Sequence, residues 1–102
     1  MPDLTATLTK LLDDARHNPG SAIRTDLARG LRLHARTRGG TFTLSISRLA
    51  PVKPSIKEWE IVLAKLPEPL PDAGQPELVE ANGRWFLGST WPVDELVRIG
   101  GA

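Results

Sequence analysis

Between Arg32 and Ser47 the chain reads RLHARTRGGTFTLSIS, two alternating runs on either side of Gly39-Gly40. Two consecutive glycines tolerate the positive φ angles of a two-residue hairpin turn, and alternation with period two is the signature of paired strands. Folded about that turn, Arg38 faces Thr41, Arg36 faces Thr43, His34 faces Ser45 and Arg32 faces Ser47. On the opposite side Thr37 meets Phe42, Ala35 meets Leu44 and Leu33 meets Ile46. One side is polar throughout and the other mostly apolar. A slip of one residue would mix them, so the pattern fixes its own register. The hairpin is expected over residues 31–48.

The rest of the chain supplies what must cover the apolar side. Leu4, Leu8, Leu11, Leu12 and Ala15 form a stripe with helical spacing, predicting a helix over 3–17 that stops at Asn18-Pro19-Gly20. In SAIRTDLARG (21–30), Ser21 as a cap, Ile23 and Leu27 as a buried pair and Gly30 as a stop predict a second, short helix. Ser55 and Glu58 form an S-x-x-E capping box opening a helix over 55–66, its inner face Ile56, Trp59, Val62, Leu63 and Leu66. A proline-rich connector follows at 67–76. A second hairpin over 77–89 turns at Asn82-Gly83, a strong hairpin signal. There Trp85 lies opposite Glu80, with Phe86 and Val79 on the other side; it is the one candidate for base stacking, and an ordinary core or rim place is the commoner reading for it. A short helix over 92–99 starts with Pro92 in its first turn. The fold expected is α+β: a single-domain, two-layer sandwich in which an antiparallel sheet of about four strands, two hairpins, carries helices on one face.

A chain of 102 residues with 40% hydrophobic and 25% charged residues is long enough for one modest core. Cysteine is absent, which removes disulfides and thiolate chemistry from consideration. The sequence shows neither a secretory signal pattern nor an apolar run of membrane-spanning length, so no membrane association and a cytoplasmic location are expected. The net charge is only +1, but it is unevenly spread. Residues 1–15 sum to −2, residues 16–57 to +8 and residues 58–102 to −5. A basic middle beside an acidic end fits either a polyanion-binding face or two halves that attract one another.

The basic strip Arg32, His34, Arg36, Arg38 is the sharpest functional signal. Alternate residues on one strand lie about 6.6–6.8 Å apart, close to the interval between successive phosphates along a nucleic-acid strand. Guanidinium groups grip phosphate oxygens bidentately, and the hydroxyls of Thr41, Thr43, Ser45 and Ser47 would add neutral hydrogen bonds beside them. Arg24, Arg29, Arg48 and Lys53 would extend the same positive field. The polar side of the first hairpin has no aromatic residue for base stacking, so backbone contacts to DNA or RNA are the form of binding expected. A plainer reading competes: the solvent face of an antiparallel sheet ordinarily carries such residues, and edge charges prevent strand pairing. A third reading is a protein-protein or self-association module using exposed Trp85 and Trp91, with a protein partner or a second copy attracted by the opposite charge of the two halves.

The sequence holds no phosphate-cradling glycine loop, no metalloprotease motif and no nucleophile elbow. His17 and His34 are its two histidines, and neither is paired with a nucleophile by any motif. Asp13 and His17, one helical turn apart, make at most a two-ligand metal site and more commonly a surface ion pair. The expectation is a non-enzymatic binding domain with no cofactor and no metal.

Overall fold

The computed structural model describes residues 4–17, 20, 22–66 and 74–92. Its elements run α1 (Leu4–His17), β1 (Ala22–Asp26), a 3-10 turn (Ala28–Gly30), β2 (Arg32–Arg38), β3 (Thr41–Leu49), α2 (Ile56–Ala64), β4 (Glu77–Ala81) and β5 (Arg84–Pro92). The five strands form one open antiparallel sheet in the order β1-β2-β3-β5-β4. The architecture is therefore mixed α+β, with one strand more than expected.

The first hairpin has the register its alternation predicts, from Arg38 opposite Thr41 to Arg32 opposite Ser47. Gly39 and Gly40 take φ of 59° and 80°, and Asn82 and Gly83 take 51° and 75°, so both hairpin turns use positive φ at both central positions. Leu33, Ala35, Phe42, Leu44 and Ile46 point to one side and are buried there with Leu87 and Trp91 of β5. Leu8 and Leu11 of α1 and Trp59 and Val62 of α2 complete that core. Each large apolar side chain so enclosed contributes about 1.5–3 kcal/mol relative to exposure, and strands β2, β3 and β5 supply most of the core.

The segment 21–30 departs from expectation. It is not a helix: Ala22–Asp26 is an edge strand pairing with β2, Ala22 opposite Arg36 and Asp26 opposite Arg32. Ile23 pairs with Ala35 and joins the periphery of the core, as a helix carrying the same isoleucine would have allowed. The chain then reverses within a short turn, closed by a Leu27 N–H to Leu31 carbonyl bond of 2.7 Å, with Arg29 at φ 63°. A free strand edge and a tight reversal outweigh the local capping signals.

Three other boundaries move. The second hairpin does not stop at residue 89, because β5 continues to Pro92, which lies opposite Thr41 at the end of its ladder. Pro92 is thus strand rather than first turn of a helix, and the remainder of the helix expected over 92–99 lies outside the described residues. So do Asp3 of the first helix and residues 67–73 of the connector. The capping box of α2 forms as expected, Ser55 Oγ accepting from the Glu58 N–H at 3.1 Å and the Ser55 N–H donating to Glu58 Oε1 at 2.9 Å. Ile56, assigned to that helix's inner face, is half exposed instead. No helix among the described residues is long and apolar enough to cross a membrane.

Candidate functional site

Register alone determines which side chains share the face opposite the helices. One row runs Arg24, His34, Ser45, Gly88, Glu77 across all five strands. A neighbouring row runs Ala22, Arg36, Thr43, Thr90, and the row on the other side runs Asp26, Arg32, Ser47, Phe86, Val79. Arg38, Thr41 and Pro92 stand at the hairpin end. The face is not flat. A half-open groove of about 670 Å³ lies across it, between Arg24 and Arg36 on one side and Glu77 and Val79 on the other.

The eight residues singled out on the first hairpin all lie on this face, but they are not equivalent. Arg36 and Arg38 are exposed, and no acid pairs with them or with Arg24 among the described residues. Arg32 is different: its Nε lies 2.6 Å from Asp26 Oδ1 on β1, and that hydrogen bond holds the Asp26 carboxyl below its usual range. Thr43 Oγ1 shares a hydrogen bond of 3.1 Å with Thr90 Oγ1, and Thr41 Oγ1 donates to its own turn, at the Arg38 carbonyl. Ser45 is nearly buried. Ser47 is wholly buried, so it serves the protein rather than a ligand.

What buries Ser47 is a small polar cluster. Arg84 Nε donates to Ser47 Oγ at 3.0 Å, and Ser47 Oγ lies 2.7 Å from His34 Nε2. The His34 ring rests against Phe86, centroids 5.0 Å apart and planes tilted by 60°. Burial, then the positive charge of Arg84, Arg32 and Arg24, pushes the His34 pKa down to about 4. Near neutrality His34 is therefore an uncharged floor residue, not a fourth cation.

The wider positive field contracts in the same way. Arg48 lies on the helix side, where its guanidinium pairs with Glu58 and donates from Nη1 to the Arg29 carbonyl at 2.6 Å. That pairing holds the Glu58 carboxyl below its usual range. Lys53 sits over the Trp85 ring at 4.7 Å, on the helix side as well. The strip is reduced to Arg24, Arg36 and Arg38.

The aromatic residues divide between the two faces of the sheet. Trp85 lies opposite Arg48, on the side of the helices, whereas Phe86 lies opposite Ser47 on the polar face. The second hairpin's own register, Glu80 with Trp85 and Val79 with Phe86, is as read; which side faces which layer is not. Trp91, exposed in the protein-interaction reading, is buried in the core 6.2 Å from the Phe42 ring. A signal for this was present: Trp85, Leu87 and Trp91 fall on alternate positions, and three large apolar residues on one side of a strand mark the core side. The site residues missed by sequence reasoning are therefore Arg84, Phe86, Thr90 and Glu77, all from the second hairpin. Comparison with known protein families, curated proteins and solved structures finds no match to the chain.

Proposed function

We propose that this face binds the phosphate backbone of nucleic acid, with Arg24, Arg36 and Arg38 as its phosphate ligands. The observation that carries the reading is the set of three guanidinium groups without an acidic partner among the described residues, two of them on the wall of a groove. Unpaired cations beside one another repel, and a sheet face needs only one or two charges to keep its edges apart. A polyanion relieves that repulsion. Thr43 and Thr90 on the groove floor offer neutral hydrogen bonds to the same oxygens. Neutral His34 and ion-paired Arg32 support the edge of the site without contributing net charge.

A protein partner is the second reading, and one observation favours it. All five residues of β4, an edge strand, are exposed, with Leu78 and Val79 among them. An unpaired edge of this kind can accept another strand. Burial of Trp91 removes it as a contact, so this reading now rests on β4 rather than on the tryptophans.

The test is fluorescence anisotropy with labelled single- and double-stranded DNA and RNA near physiological salt. Wild type is compared with Arg24→Ser/Arg36→Ser/Arg38→Ser, both first shown to be folded by circular dichroism. Micromolar or tighter binding that the triple variant loses supports the reading. Absence of binding to every probe overturns it.

A further inference from the structure

The groove is asymmetric, and its asymmetry matches one nucleotide rather than a bare row of phosphates. Arg24 and Arg36 line its β1–β2 side, and Glu77 its β4 side. Glu77 lies three strands from His34 in the same row, so their backbones stand about 14 Å apart at ordinary strand spacing. Gly88 lies between Ser45 and Glu77 in that row and lines the groove with backbone alone, packed closely on β3. Beside it Phe86 and Val79 form an apolar bed. The volume, about 670 Å³, falls within the range of small-ligand sites.

We infer that the groove takes one unpaired nucleotide of a single strand, its phosphate at Arg24 and Arg36, its base against Phe86, and an amino group of that base donating to Glu77. The inference rests on the reading of this face as a nucleic-acid surface and adds its substrate class. A duplex keeps its bases paired inside and could offer only phosphates to the rim, leaving the groove-facing surface of Phe86 and Val79 uncovered. An unpaired base stacks on an aromatic ring regardless of sequence. A carboxylate at the far wall repels phosphate, which sets the direction in which the nucleotide lies. It also accepts from the exocyclic amine of cytosine or adenine, a donor that thymine lacks.

The experiment compares labelled oligo(dC), oligo(dA) and oligo(dT) of equal length, and a duplex, on wild type, Glu77→Gln and Phe86→Leu. The wild type is expected to bind the dC and dA strands about fivefold or more tighter than dT, and the duplex more weakly than any of them. Glu77→Gln, a change on an exposed edge strand that leaves the core intact, should reduce that ratio to within about twofold. The ratio is the readout, because removing the acid strengthens phosphate binding to all strands alike. Phe86→Leu should weaken every single strand by about fivefold or more at unchanged salt slope. Equal affinity for all three strands, insensitive to both substitutions, overturns the nucleotide assignment while the backbone reading stands. Binding of no strand and no duplex overturns both.

Discussion

Asp26 Oδ1 lies 2.6 Å from Arg32 Nε, an ion pair between adjacent strands that removes one arginine from the strip its sequence spacing implies. It separates Arg32 from Arg36, four residues further along the same strand and without such a partner among the described residues. In single-strand binding each neutralised phosphate contributes about 0.7 to the slope of log affinity against log salt. Arg36→Ser is therefore expected to flatten that slope by about 0.7, and Arg32→Ser to leave it nearly unchanged. Asp26→Asn frees Arg32 and should steepen it by up to about 0.7. Equal slopes for the Arg32 and Arg36 variants would contradict the assignment.

His34 makes stability depend on pH in a defined window. Its pKa in the folded protein is lowered from 6.5 to about 4, so on acidification the unfolded chain takes up its proton first. The contribution is fully present above about pH 6.5 and is lost as pH falls toward about 4. In His34→Gln, urea midpoints measured across this range should lack that component of the decline. Asp26 and Glu58, whose pKa values are also lowered, act at the acid end in both proteins and cancel in the comparison. A histidine resonance titrating near 6.5 in the folded protein and assigned to His34 would refute the burial argument.

Glu58 has two tasks, closing the capping box of α2 and pairing with Arg48 from β3. Glu58→Ala should cost about 1–2 kcal/mol, chiefly from the cap and in part from the ion pair. Arg48→Ala should cost less, since the box survives it. Urea denaturation of both single variants and the double variant checks this, with a coupling of about 0.5–1 kcal/mol expected between the two positions.

Gly88 is fixed by close approach. A Cβ built on it would lie 2.2 Å from the Leu44 carbonyl oxygen and 2.5 Å from Ser45 Cβ, both on the central strand β3. Backbone cannot yield as the tip of a flexible side chain would. Gly88→Ala is expected to destabilise by at least about 3 kcal/mol, by displacing the β3–β5 pairing, and thermal denaturation is the check.

Much of the fold was legible because local chemistry and tertiary packing agree there. Arg32–Ser47 has a clean alternation, a Gly-Gly turn and an apolar side that the core requires, so its register could be derived pair by pair. Ser55 and Glu58 announce α2 in the same way. Legibility failed at the sheet edges, where burial is partial and the pattern weak. Ala22–Asp26 is a five-residue strand whose Ser21 and Gly30 flanks imitate helix caps, and only pairing with β2 decides between the two. The consequence reaches the site, since Arg24 and Asp26 come from that strand. The second hairpin's register was readable, but its facing depends on β5 docking on β3, a contact 40 or so residues apart in sequence. Hence Phe86 and Glu77 were not seen as members of the basic face.

The most direct test of the central claim is a titration of the ¹⁵N-labelled protein with a short oligo(dC), followed by backbone amide and arginine Nε–H shifts. The account predicts saturable shifts concentrated at Arg24, Arg36, Thr43, Phe86 and Thr90, with the amides of α2 around Trp59 and Val62 on the helix side unmoved. Shifts confined to the helix side, or no shifts at all, would contradict it.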